Sequence, residues 1–183
     1  MPTDTRSRIL DAGAGLLNDE GLAAVTQPRI ARAAGLRQSH VTYYFPTRAD
    51  LLLALAEHSV DQALAGVETR RDELPGALID GATYLPRVRM LASLVLAADQ
   101  DPALRPVLDR LVARLRDALA GVLRAFGHRG SEAEALTLQA TLTGLALLHL
   151  GRQNTDSARD IETGLHSVLG SLAALDAQRT RLP

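Results

Sequence analysis

A chain of 183 residues that is 46% hydrophobic has enough apolar material for one large core or two smaller ones. Aromatics make up only 3% and tryptophan is absent, while alanine and leucine abound, so strands are disfavoured and an all-α fold is expected. The absence of cysteine excludes disulfides, thiolate metal sites and thiol nucleophiles, and the net charge of −1 hides an asymmetry: Thr26 to Arg48 holds four arginines and no carboxylate, against fourteen arginines and seventeen acids from residue 49 onward.

The opening Met1-Pro2-Thr3-Asp4-Thr5-Arg6 lacks the basic-then-apolar order of a secretory leader, and no run of about 18 apolar residues is present to span a bilayer, so a cytoplasmic protein with no membrane partner is expected. Ile9, Leu10, Gly13, Ala14, Leu16 and Leu17 share one helical stripe that ends at Gly21, which predicts a first helix over about residues 5–20. Thr26 can cap a short second helix with Pro28 in its first turn and Ile30, Ala31 and Ala34 inward. Gly35 then gives the freedom of a tight turn, Leu36 can fill the angle, and a third helix is predicted from Gln38 to Phe45. Pro46 stops it, and Thr47-Arg48-Ala49-Asp50 has the form of a capping box opening a fourth helix over about 48–72, through Leu51, Leu52 and Leu55.

These residues resemble the tetracycline-repressor (TetR) family: Ile9-Leu10, Gly21, Thr26, Ile30-Ala31, Ala33-Ala34-Gly35-Leu36, Tyr43-Tyr44-Phe45, Arg48 and Leu51-Leu52 agree with its pattern in order and spacing over about residues 5–55. The resemblance implies a homodimeric transcription regulator whose third helix enters the major groove of an operator, with DNA contacts at Thr26, Arg37, Gln38, Ser39, His40, Thr42, Tyr43, Tyr44 and Arg48. Physically, Gln38, Ser39, His40 and Thr42 can address base edges, the tyrosine hydroxyls and Arg48 suit phosphates, and Arg37 can do either. One of the two tyrosines is expected to pack, and Arg29 and Arg32 are expected to be solvated surface. Arg37 stands where the family often has a capping serine, and Thr42-Tyr43-Tyr44-Phe45 departs from its aromatic-aromatic-His-Phe run, so no operator sequence can be carried over.

Beyond residue 55 the likeness is one of layout. Prolines at 75, 86, 102 and 106 divide the middle into predicted helices over about 76–84, 86–99 and 103–126, the last striped by Leu104, Leu108, Leu111, Leu115, Leu119, Val122 and Phe126. Ser131-Glu132-Ala133-Glu134 reads as a capping box for a helix to Gly151 that is apolar almost all round, with small Ala140 and Gly144. A last helix over about 157–176 spaces Ile161, Leu165, Val168, Leu172 and Leu175 like a coiled-coil seam. With Leu138, Leu142 and Leu145, the residues Ile161, Leu165, Val168 and Leu172 are assigned to a four-helix dimer interface.

The expected organisation is therefore a DNA-binding domain over 1–47 and a helical effector-binding and dimerisation domain over 48–183, about nine helices in all. Tyr84, Thr143 and His149 are candidate contacts for an unidentified small-molecule effector, although a histidine satisfied within the core is the commoner reading of His149. Glu162 and His166 are four apart without companion ligands, and no phosphate-binding glycine loop or nucleophile elbow occurs, so neither metal, cofactor nor enzymatic activity is expected. The function expected is a repressor released from a pseudo-palindromic operator by an effector; the alternative is a helical DNA-associated scaffold without ligand control.

Overall fold

The computed structural model describes residues 4–68 and 74–180, with side chains left out at 63–68, 74 and 175–180. Among these residues there are nine α-helices and no strand: α1 Thr5–Glu20, α2 Gln27–Ala33, α3 Gln38–Tyr44, α4 Arg48–Glu68, α5 Leu74–Thr83, α6 Leu85–Gln100, α7 Arg105–Ala125, α8 Glu132–Arg152 and α9 Thr155–Thr180. Single 3₁₀ turns at Leu22–Ala24 and Pro102–Leu104 precede α2 and α7. The predicted end of α4 at residue 72 lies outside the described residues. Among the described residues no helix is long and apolar enough to cross a membrane.

The helices group into two compact units. The first takes the chain up to Asp61 together with Arg89–Val112, so the helix-turn-helix shares its core with the start of α4 and with parts of α6 and α7. Ile9, Leu10 and Leu17 of α1, Ile30 of α2, Val41 of α3 and Leu51, Leu52 and Leu55 of α4 are among its buried residues. Gly13 is buried in α1, and a Cβ there would come within 2.7 Å of a Leu55 methyl, so the glycine lets α1 sit close to α4. Gly35 has φ +65° in the α2–α3 turn, the left-handed conformation expected from the sequence. The Thr47 box is made: the Thr47 amide donates to Asp50 Oδ2 at 3.0 Å and the Asp50 amide donates to Thr47 Oγ1 at 3.0 Å.

The Thr47 hydroxyl, then its amide, holds the Asp50 carboxyl below the usual carboxylate range, with Arg110 adding to the effect. A carboxylate whose folded pKa is depressed contributes stability above its unfolded pKa of about 4 and loses that contribution as pH falls through the lower folded value. Urea midpoints of wild type and Asp50→Ala are therefore expected to differ by a constant amount from pH 7 down to about 5, and to converge below about 4.

The second unit comprises Gln62–Val88 and the chain from Ala113 onward. Its core joins α5, α7, α8 and α9 through Leu78, Val122, Leu123, Leu138, Leu165 and Leu172, with Leu142 and Val168 packed against them. A second cluster holds Ala82, Val88, Ala146 and Ile161, flanked by Leu142 and Leu145. Ser131 caps α8 as expected, its side chain accepting from the Glu134 amide while Glu134 Oε2 accepts from the Ser131 amide at 3.1 Å. Arg116 of α7 donates to the buried Gln139 of α8 at 3.2 Å.

The residues assigned to a dimer interface pack against the two cores of this unit. Leu138, Ile161 and Leu165 are fully buried and Leu172 is nearly so within the chain's own fold, and Leu142, Leu145 and Val168 lie against the same clusters. Leu138, Ile161, Leu165 and Leu172 are thus core residues of the subunit, whereas Leu142, Leu145 and Val168 keep part of their surface exposed; the side chain of Leu175 lies outside those described. A four-and-three spacing identifies a buried face but not whether the covering helix belongs to the same chain. The apolar side chains that α8 leaves exposed are others: Leu136, Leu147 and Leu148.

α8 ends at Gln153, which adopts a left-handed conformation with φ 43° and ψ 44° without being glycine. That conformation costs an L-residue roughly 1–2 kcal/mol, part of which glycine avoids. Gln153→Gly is expected to raise the stability by about 0.5–1 kcal/mol, read as a higher urea midpoint at unchanged slope.

Candidate nucleic-acid interface

α3 is a two-turn helix held by its inner side. Val41 is fully buried and Phe45, just after the helix, is 3% exposed, with the Arg6 guanidinium of α1 5.7 Å from the Phe45 ring centre. The rest of the helix faces outward: Arg37, Gln38, Ser39, His40, Thr42, Tyr43 and Tyr44 are all exposed, as are Thr26 and Arg48. The nine residues expected at the DNA are thus all on the surface of the first unit, seven of them within one continuous segment. Tyr43 is 80% exposed and Tyr44 38%; their rings meet edge to face at 5.3 Å, and Tyr44 also lies against Phe45 at 6.4 Å. Tyr44 is the packing member of the pair and Tyr43 the projecting one.

Thr26 is the N-cap of α2 and Arg37 that of α3, both with extended backbone, and neither side chain bonds its helix. The first amides of both helices consequently have no cap from these side chains, and Ser39 does not replace the capping hydroxyl that Arg37 lacks. Among the described residues Arg37 and Arg48 form no ion pair, whereas Arg29 is paired with Glu20 at 2.5 Å, which raises its already high pKa through that hydrogen bond. Arg29 and Arg32 are both exposed, as expected of surface residues.

Three positioning side chains escaped the sequence reading. Arg8 of α1 donates to the Ala34 carbonyl at 2.7 Å, placing a cation at the C-terminal end of α2 beside the Gly35 turn. Arg6 covers Phe45. Gln27, the first residue of α2, bonds both Phe45 O, at 2.8 Å, and Thr42 Oγ1, at 3.2 Å. The only signal available beforehand was that carbonyls at the ends of α2 and α3 need donors; nothing in the chain order says which side chains supply them.

The effector candidates are placed in the second unit. Tyr84 follows α5, is 46% exposed, and has the Arg87 guanidinium 5.2 Å from its ring centre. Burial pulls the Arg87 pKa down, opposed by its electrostatic interaction with Tyr84. Thr143 is half-buried on α8. His149 Nδ1 meets the buried Ser157 Oγ at 2.8 Å, within a junction where Ser157 and Asn154 exchange further hydrogen bonds and Arg152 pairs with Asp160 at 2.6 Å. That is the satisfied histidine of the commoner reading, tying α8 to α9. A small apolar cavity of about 10 Å³, lined by Leu17, Leu22, Leu52, Leu55, Ala56, Met90 and Leu94, lies in the first unit and includes none of the three.

Residues 9–55 match the family model of bacterial regulatory proteins of the tetR family, and residues 65–171 match the tetracyclin repressor-like C-terminal domain. The chain belongs to the TetR family. It is 29% identical to the HTH-type transcriptional regulator CymR of Pseudomonas putida over 168 residues, covering 84% of this chain and 83% of CymR. It is 46% identical over 72 residues to the HTH-type transcriptional repressor LfrR of Mycolicibacterium smegmatis, covering 39% of this chain and 36% of LfrR. A TetR-family regulator from a Rhodococcus species shares the fold at TM-score 0.73 and 24% identity, covering 92% of this chain and 97% of the other. The multidrug binding protein EbrR, solved with imidazole, shares it at TM-score 0.65 and 23% identity, covering 90% and 94%. The TetR-family helix-turn-helix and the helical region after it together account for the layout, and the protein is a DNA-binding transcription regulator.

Proposed function

We propose that this TetR-family protein is a homodimeric repressor in which residues 1–47 grip DNA and residues 48–183 dimerise and bind an effector. The observation that carries the DNA reading is the outward face of α3 with its flanks. Seven exposed residues from Arg37 to Tyr44 present hydrogen-bonding or cationic groups, and there is no carboxylate from Thr26 to Arg48. Two such heads, related by a two-fold axis, would reach successive major grooves about 34 Å apart on a pseudo-palindromic site. Gln38, Ser39, His40 and Thr42 would address base edges; Thr26, Tyr43, Tyr44 and Arg48 would hold phosphates, and Arg37 would serve at either.

Dimerisation would use the outer faces of α8 and α9. Exposed Leu136, Ala140, Gly144, Leu147, Leu148 and Gly151 recur at helical spacing along α8, and exposed Thr163, Ser167, Gly170 and Ala174 along α9. Leu148 is 60% exposed and Leu136 47%, an arrangement a lone subunit in water does not favour. The effector would be a small, largely apolar compound held in the second unit near Tyr84, Thr143 and His149. EbrR, which shares the fold, has been solved with imidazole, proflavin and ethidium, which supports a fold able to take such compounds. Tenfold release of the operator needs about 1.4 kcal/mol of coupling between the sites. The protein would act in the cytoplasm, where its DNA lies.

Selection from a random duplex pool tests the core of the reading and should return one pseudo-palindromic sequence; indifferent binding to all duplexes would overturn it. For the phosphate assignment, Arg48→Ala is expected to weaken binding to matched and mismatched duplexes alike. It should also lower the slope of log K against log salt by about one unit per head. An unchanged slope would remove Arg48 from the phosphate contacts.

A further inference from the structure

Gln27 uses its side-chain amide at both ends. Nε2 donates to Phe45 O at 2.8 Å and reaches Pro46 O at 3.5 Å, and Oε1 accepts from the Thr42 hydroxyl at 3.2 Å. The orientation of this amide is set by chemistry, because a carbonyl can only accept, so the NH₂ group must face Phe45 and the oxygen must face Thr42. The Thr42 hydroxyl lies equally 3.2 Å from the Gln38 carbonyl one turn earlier. A hydroxyl has one proton. Both of its neighbours are acceptors with no proton to return, so the Thr42 proton stays within the protein whichever of the two it chooses. Thr42 therefore has no hydrogen to offer the acceptors of a base edge. Its oxygen is drawn toward α2 and the preceding turn, while the residue as a whole stays exposed on α3. A β-branched side chain is stiff at χ1, so two acceptors holding the oxygen also fix where the methyl stands.

We propose that Thr42 reads DNA through its methyl group, selecting the 5-methyl of thymine, and that Gln27 is the positioning residue that holds Thr42 in that rotamer. The proposal rests on the reading above that α3 lies in the major groove. There thymine alone among the four bases presents a methyl, and a threonine methyl is a suitable apolar partner for it.

The test uses the full chain and the operator selected from the random pool, resynthesised with each thymine replaced singly by deoxyuridine, which removes the methyl and nothing else. At one thymine per half-site the replacement is expected to weaken binding about fourfold, the effect of one buried carbon. Thr42→Ser, which keeps the hydroxyl and loses the methyl, should make that thymine and deoxyuridine equivalent, whereas Thr42→Val should preserve the discrimination ratio whatever its absolute affinity. Gln27→Ala, with helix content checked by circular dichroism, should narrow the ratio, which loss of stability alone would not do. Equal binding of all deoxyuridine duplexes would overturn the proposal while leaving the operator reading intact; so would an undiminished ratio in Thr42→Ser, or a ratio lost in Thr42→Val, which would make the hydroxyl the reading group. An unchanged ratio in Gln27→Ala would overturn its positioning role. Failure to select any operator would remove the DNA reading and the proposal together.

Discussion

The double variant Leu147→Glu/Leu148→Glu is expected to sediment as a 19.5 kDa monomer at micromolar concentration and to lose operator binding by more than about a hundredfold. The two leucines are 40% and 60% exposed in the single chain, so each has roughly 1 kcal/mol of further burial to contribute on association. By two-fold symmetry the variant removes about 4 kcal/mol of it and places four carboxylates in the apolar contact, each costing several kcal/mol unless paired. A micromolar dimer is held by only about 8 kcal/mol, so the charges decide the outcome. Each head alone keeps its contacts to one half-site, but joint binding of two half-sites is lost. Because neither leucine belongs to the subunit core, the helical circular dichroism of the variant should remain close to that of wild type. A variant that still sediments at twice the chain mass would place the dimer contact elsewhere.

Leu165→Ala is expected to behave in the opposite way, costing about 2–5 kcal/mol of folding stability with dimerisation of the surviving folded protein retained. Leu165 of α9 is fully buried in the core it shares with α5, α7 and α8, where truncation leaves a cavity that the packed neighbours close only in part. Against a typical total of 5–15 kcal/mol, that loss brings the protein near its folding threshold, and Leu165→Glu should not fold at all. Urea midpoints measured alongside sedimentation separate the two effects. Dissociation of Leu165→Ala without a fall in midpoint would return this residue to the interface.

Much of the molecule is legible from residue order because the deciding forces are local. The bounds of α1, α2 and α3, the Gly35 turn, the stop at Pro46 and both capping boxes depend on groups within a few residues of one another: a glycine tolerating φ +65°, a proline without an amide hydrogen, a serine reaching its own helix start. The exposure of the α3 face follows from the same logic, since Val41 is the apolar residue in a short run of polar and hydroxyl side chains and must point inward.

The partners of those faces were decided by tertiary packing. The period of Ile161, Leu165, Val168 and Leu172 determines that one stripe of α9 is dry, but the covering helices could come from this chain or its twin; the structure covers it with α8 and α5 of the same chain and leaves Leu136, Leu147 and Leu148 outward. The same holds for hydrogen bonds across the head. Arg8 to Ala34, and Gln27 to Phe45 and Thr42, join residues fifteen or more apart, whose meeting depends on how helices cross. Sequence alone determined a TetR-type head with a basic reading face and a helical region behind it, because composition, periodicity and capping act along the chain. Only the tertiary structure decided which leucines are core and which are free, and that the Thr42 hydroxyl is turned to Gln27, because a side chain's partner is set by three-dimensional proximity.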